Sequence, residues 1–236
     1  MIGLFVPCYV AALRPRDVEH ARRVLESLGD DVDVIDGVCC GQPAFNSGFR
    51  AEAKSVAREA LRAARDYDRV VVLSGSCASM VMHYAPGLWE AHKREGAERI
   101  AGRFVEFASY VAGHSHLGDL GLRFTGAVAY HDSCHNRREL SATGTVTGLL
   151  SSIEGLDLRR LEHEDECCGF GGTFNVKYAG VAGGMAGSKL ADVAEAGAPV
   201  LVSTDVSCLA HLTRAGGPNS PATISMAELL AQALPR

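Results

Sequence analysis

Short apolar runs alternate along the chain with longer stretches in which apolar residues recur every three or four positions. The runs Gly3–Val6, Val32–Ile35, Arg69–Leu73, Ala127–Tyr130 and Pro199–Val202 are brief and nearly all apolar. That pattern predicts strands buried on both faces of a parallel sheet. A weaker run near Leu158–Leu161 and a short one at Ala222–Ser225 read as further strands. Over Asp17–Leu28, Val18, Ala21, Val24, Leu25 and Leu28 fall on one stripe, and Gly29 stops the helix. Phe49–Arg65 reads the same way, with Arg50, Lys54, Arg58, Arg62 and Arg65 on the wet side. Helices are also predicted over Phe104–Val111, over Leu190–Ala196 ahead of Gly197, and over Met226–Leu234. Strand and helix in alternation predict an α/β fold.

The pattern repeats itself. Cys8 is followed after thirty residues by Cys39-Cys40-Gly41 and after thirty-five more by Cys77. Cys134 is followed after thirty-two residues by Cys167-Cys168-Gly169 and after thirty-eight more by Cys208. Phe45-Asn46 follows the first Cys-Cys-Gly, and Phe174-Asn175 follows the second one residue later than strict register. All 8 cysteines belong to the repeat. Duplication of one supersecondary unit accounts for this. It predicts two similar half-domains with parallel-rich sheets, residues 1–112 and 123–236, related by a pseudo-twofold and joined without a low-complexity linker.

Composition narrows the chemistry. With 23 basic and 28 acidic residues the net charge is −5, and no basic run marks a nucleic-acid footprint. Arg137-Arg138 is a small basic cluster that reads as a solvated face. No stretch approaches the roughly 20 apolar residues of a membrane span. The segment Met1–Cys8 lacks the basic flank of a signal peptide and reads as a first strand, so a cytoplasmic location is expected. In that reducing compartment cysteines bind metal or do redox chemistry more often than they form a disulfide framework.

Cys8, Cys77, Cys134 and Cys208 each fall just after a strand, at or near the start of a helix. In an open α/β sheet that is the crevice where ligands bind. A helix N-terminus there is expected to lower the thiol pKa and favour the metal-binding thiolate. Gly41 and Gly169 let the chain bend after each cysteine pair and let backbone approach an inorganic core. Four thiolates per half select an iron–sulfur cluster, zinc or copper(I). Zinc sites usually draw on C-x-x-C pairs, which this chain lacks, so adjacent Cys-Cys-Gly favours iron–sulfur, one cluster or two. A disulfide between the neighbours 39–40 or 167–168 would be strained; a reversible dithiol or redox-sensing role stays open. His131 and His135 flank Cys134: His135 covers the centre, shuttles a proton, or is a satisfied loop residue. Asp205 reads as a helix cap, and Ser76 and Ser207 as donors to sulfur or as caps. Gly169-Phe170-Gly171-Gly172 follows a cysteine pair and not a strand, which disfavours a bound dinucleotide.

The chain resembles the cysteine-rich, Cys-Cys-Gly-containing family found in a subunit of heterodisulfide reductase, in iron–sulfur subunits of glycolate oxidase and anaerobic glycerol-3-phosphate dehydrogenase, and in the lactate-utilization protein A group. The stretches Ser74–Met80, His131–His135 and Ser203–Cys208 are most similar to the last group. The resemblance implies iron–sulfur ligation by Cys8, Cys39, Cys40, Cys77, Cys134, Cys167, Cys168 and Cys208. It implies oxidation of a small organic acid, L-lactate to pyruvate, in a complex with a ferredoxin-like iron–sulfur subunit and a further lactate-utilization protein. The heterodisulfide relatives carry a closing C-x-x-C in each repeat; here Met80 and Asp205 stand at those places. Each repeat keeps four thiols, so cluster type stays open. The ferredoxin run C-x-x-C-x-x-C-x-x-x-C-P is also missing, so electrons pass to another subunit. A heterodisulfide-type thiol reductase and a zinc or redox-sensing protein are the rival readings.

Overall fold

The computed structural model describes residues 1–235. Two four-stranded, all-parallel sheets form its frame. The first contains β1 (Ile2–Phe5), β2 (Val32–Ile35), β3 (Val70–Val72) and β4 (Phe104–Glu106) in the order β2-β1-β3-β4. The second contains β5 (Arg123–His131), β6 (Glu154–Arg159), β7 (Val200–Ser203) and β8 (Ala222–Ser225) in the order β6-β5-β7-β8. The two orders are the same, which is the α/β duplication read from the cysteine repeat.

Strand alternation sends successive side chains to opposite faces. Leu4, Val6, Val71, Val128, Tyr130 and Val202 point inward, to a core shared by both sheets. That core is filled by Ala21, Val24 and Leu25 of helix Arg16–Ser27, Val111 of Phe107–Ala112, Leu149 and Leu150 of Thr143–Ser151, and Leu229 and Leu230 of Met226–Ala233. Phe5, Val70, Val72 and Phe104 point outward, under the helices Arg50–Ala63 and Ala91–Ala101. Ala129 and Leu201 point outward in the second half, under Ala179–Glu195 and Val206–Ala215. A helical layer between the sheets thus ties the halves together. Arg14 adds a polar clasp, pairing with Glu228 of the other half at 2.6 Å and bonding the Thr223 carbonyl.

The structure corrects two expectations. Phe104–Val111 is not one helix: Phe104–Glu106 pairs with β3 as an edge strand, and the helix starts at Phe107. Sheet completion outweighs local propensity, and the Glu106 carboxylate accepts the Ala108 and Ser109 N–H groups as the N-cap. Leu190–Ala196 is only the tail of a 17-residue helix, Ala179–Glu195, whose start Ala-Gly-Val-Ala-Gly-Gly carries no apolar stripe. Among the described residues no helix is long and apolar enough to cross a membrane.

Candidate metal centre

The strand order reverses between β1 and β3, and again between β5 and β7, and such a switch point opens a crevice at the carboxyl ends. Cys8 opens the helix after β1, and Cys77 lies in the helix Gly75–Ser79 after β3. Cys134 opens the helix after β5, and Cys208 lies in Val206–Ala215 after β7. The Cys-Cys-Gly turns come in from the neighbouring strands β2 and β6. Gly41 and Gly169 take φ of +88° and +87°, where an L side chain is strained. A Cβ on Gly169 would lie 2.7 Å from the Ala182 carbonyl oxygen, and one on Gly41 would lie 3.0 Å from that of Ala53. Each turn therefore sits directly on the helix outside its sheet.

The sequence-predicted residues do come together. In the first half the sulfurs of Cys8 and Cys39 are 3.9 Å apart and those of Cys40 and Cys77 are 3.2 Å apart. In the second, Cys134, Cys167, Cys168 and Cys208 form the corresponding chain of neighbours. Equivalent backbone donors point at sulfur: Gly41 N–H at Cys39 (3.5 Å) and Gly169 N–H at Cys167 (3.4 Å). All eight thiols are free. Seven of them, all but Cys39, line a single narrow cleft of about 80 Å³ between the halves.

The halves interlock across that cleft by equivalent contacts. The residue after each helix-opening cysteine meets the residue after the opposite glycine. Tyr9 stacks edge-on against Phe170 with ring centroids 5.4 Å apart, and His135 Nε2 lies 3.0 Å from Gln42 Nε2. His135 also holds Nδ1 3.6 Å from the Cys134 sulfur.

Thiol electrostatics overturn one expectation. Cys8 and Cys134, at helix starts, are pushed up and not down, because each donates to a neighbouring sulfur (Cys39, Cys167) and is partly desolvated. Cys40 and Cys168 are raised for the same reasons. Cys208 accepts a lowering bond from Cys168, but burial together with the negative charges of Asp205 and Cys167 outweighs it and the net shift is upward. The thiolate position in each half is the first cysteine of the pair. Cys39 is lowered by hydrogen bonds from Cys40 and Cys8, and Cys167 by bonds from Cys134 and Cys168. Crowded sulfurs disfavour charge on one another, so deprotonation of the raised thiols needs a cation.

Several polar residues in this region are not legible in sequence. Asp205 is positioned as a cap of its own helix but makes no such bond. Its Oδ2 accepts the Ser76 N–H of the other half at 2.8 Å, and its Oδ1 accepts Ser207 Oγ at 2.7 Å. The Ser207 hydroxyl faces both that carboxylate and the Cys208 sulfur, and Ser76 Oγ lies 3.1 Å from Ser74 Oγ. Lys189, fully buried, donates to the His163 carbonyl and lies 3.6 Å from Asp192. Asp192 in turn accepts the Glu162 and His163 N–H groups, which fixes the loop leading to Cys167. His131 is fully buried at the end of β5, and burial, reinforced by Lys189, lowers its pKa to about 4. No periodicity in sequence exposes these contacts, because each depends on two elements packing face to face.

The profile of one family, the cysteine-rich domain CCG, matches this chain twice, over residues 2–82 and 128–213. The chain belongs to the CCG cysteine-rich domain family. Each match carries one sulfur quartet, so the two CCG halves are the two halves of the site. Similar proteins named Lactate utilization protein A run the length of the chain. That of Bacillus licheniformis is 35% identical over 97% of this chain and 98% of that protein. That of Geobacillus kaustophilus is 36% identical over 89% of each. Among solved structures, glutamate racemase isoform RacE1 from Bacillus anthracis superposes with a TM-score of 0.40 at 10% identity, covering 98% of this chain and 79% of that one. So loose a likeness bears on neither the site nor its chemistry.

The CCG donor sets fit a soft metal or a metal–sulfur core. Each half offers four sulfurs, a glycine turn without room for a Cβ, and a backbone N–H aimed at the thiolate position. Thiolate donors of this kind select iron–sulfur or zinc over hard cations.

Proposed function

We propose that this chain is an iron–sulfur oxidoreductase component of an L-lactate-oxidising system, carrying electrons between partner proteins in the cytoplasm. The observation that carries the proposal is the convergence of two sulfur quartets on one cleft. The name borne by relatives similar over nearly the whole chain supplies the substrate class. Cys8, Cys39, Cys40 and Cys77 hold one centre, and Cys134, Cys167, Cys168 and Cys208 hold the other. When bound, such a centre supplies reversible one-electron transfer.

The chain's own contribution is to bring the ligands together and tune them. Cys39 and Cys167 provide the first thiolate of each set, and ligation drives the remaining protons off sulfur. Gly41 and Gly169 N–H groups hold negative charge on sulfur in place. Tyr9, Phe170, Gln42 and His135 close the halves over the cleft. Dehydrogenation of the acid belongs to the complex, with a ferredoxin-like iron–sulfur subunit and a further protein as expected partners.

The test is anaerobic purification with iron and acid-labile sulfide determined together. Visible absorbance is then followed on adding lactate with and without the partner proteins. Iron with sulfide, and bleaching by lactate only when the partners are present, is the expected result. Zinc without sulfide, or turnover driven by a substrate disulfide instead, would replace this reading.

A further inference from the structure

The two centres are lined differently at one place. Phe5 and His131 are equivalent: each is the last residue of the first strand of its half and precedes the helix-opening cysteine by three residues. Each also pairs with the last residue of the neighbouring strand, Phe5 with Val72 and His131 with Ser203. Strand alternation sends both to the outer face of their sheets. In the first half that face holds Phe5 in one cluster with Cys40 and Cys77. In the second, Ala129 shares it with Cys168 and Cys208, and His131, two residues on, points the same way.

Phe5 completes its surroundings by an edge-on contact with Phe104, at 6.0 Å between centroids. His131 has no such completion. Both of its ring nitrogens are buried and without any hydrogen-bond partner. Buried polar groups are rarely left so, and an orphan calls for a missing partner. A ring nitrogen and the sulfurs of Cys168 and Cys208 all lie within 4.8 Å of one another, yet imidazole and sulfur form no hydrogen bond. An imidazole nitrogen grouped with two sulfurs at that spacing, and hydrogen-bonded to neither, has the arrangement of a ligand sharing a metal with them, given metal–nitrogen and metal–sulfur bonds of roughly 2.0 and 2.3 Å.

We infer that the second centre is bound by a mixed nitrogen–sulfur set, in which a ring nitrogen of His131 ligates metal together with Cys168 and Cys208, whereas the first centre is bound by sulfur alone. The inference deepens the metal-binding reading above and rests on it. No electron or atom transfer is involved: the nitrogen lone pair forms the bond. The two centres of the chain are then chemically distinct.

The test is nitrogen hyperfine spectroscopy on the full chain, loaded anaerobically with iron and sulfide and, in parallel, with cobalt(II) alone. The wild type is expected to show strong coupling from a directly bonded nitrogen. His131→Phe, which installs the residue the first half carries at this place, is expected to lose it. His131→Cys, which keeps a soft ligand, is expected to lose the coupling while retaining metal, so a loading failure of the first variant leaves the question answerable. His135→Asn, altering the other nearby imidazole, is expected to keep the coupling. Metal-loaded wild type without bonded nitrogen, or coupling that survives in His131→Cys, would overturn the inference. If iron and sulfide fail to load while cobalt shows the nitrogen, the iron–sulfur reading falls and the mixed set stands. If neither metal binds, both fall.

Discussion

Placed one over the other, the halves agree in their sulfurs and differ in several of the residues packed behind them. Both have four cysteines on the same loops, a left-handed glycine after the pair, and an N–H aimed at the pair's first sulfur. Phe5 of the first half is matched in the second by His131, and on the outer helix, in the register set by Ala53 and Ala182 against the two glycine turns, Ala60 and Ala63 are matched by Lys189 and Asp192. Ser74 stands at the N-cap position of the helix that carries Cys77 and Asp205 at that of the helix that carries Cys208, and the two meet across the halves, the carboxylate accepting the Ser76 N–H and the Ser74 hydroxyl. The edge strands end in Glu106 and Ser225, each capping the next helix. Ligand geometry is thus held in common, while the charge and polarity of the second half have diverged. A duplicated site keeps what grips the core and is free to change what tunes it.

The largest expected effect comes from taking one sulfur from each half in turn. Cys40→Ser and Cys168→Ser should each lower bound iron to about half and leave the other centre's spectrum intact, since ligation and site assembly are coupled. Loss of all iron in either variant would make the halves one site. Next come the glycines, compared by chemical denaturation. Gly169→Ala should cost about 3 kcal/mol, combining the φ strain with overlap on Ala182, and Gly41→Ala, with more room, about 1–2 kcal/mol. Equal costs would mean that backbone strain alone decides.

The caps at the edge strands should differ in their response to pH. Burial raises the Glu106 carboxyl from 4.5 to about 7. Between those values the folded chain holds a proton that the unfolded chain has released. Stability from this group is therefore full below the unfolded value, declines as pH rises through the window, and levels off above the folded value. The decline should be on the order of 2 kcal/mol and should vanish in Glu106→Gln, as measured by urea unfolding between pH 5 and 8. Ser225→Ala should shift the curve without changing its slope. Smallest is the carboxylate across the halves. Asp205→Ala leaves the buried Ser76 N–H without its acceptor and should cost about 1–2 kcal/mol, against about 1 kcal/mol or less for Ser74→Ala.

What is legible in sequence is whatever rests on rare residues at fixed spacing or on a local periodicity. Cysteine is scarce and its repeat covers the chain, so the duplication, the α/β alternation and the eight clustered thiols are visible in the bare sequence. The helix Ala179–Glu195 shows there only in part, because glycine and alanine leave no amphipathic signal over its first half. Phe104–Glu106 reads as helix because three residues become a strand only when β3 lies beside them. The orphaned imidazole of His131 escapes for a related reason. Its aim at Cys168 and Cys208 follows from strand parity and from loops that meet only in the fold. The thiol order is also hidden: helix position favours Cys8 and Cys134 as thiolates, but contacts among the sulfurs put the charge on Cys39 and Cys167.

The whole account turns on each half gripping its own inorganic core. Crystals of the anaerobically iron-loaded chain, with anomalous diffraction recorded on either side of the iron edge, examine that directly. Two separate iron peaks are predicted, one inside Cys8, Cys39, Cys40 and Cys77, the other inside Cys134, Cys167, Cys168 and Cys208 and against His131. A single peak midway between the halves, or iron bound away from the cysteines, would contradict it.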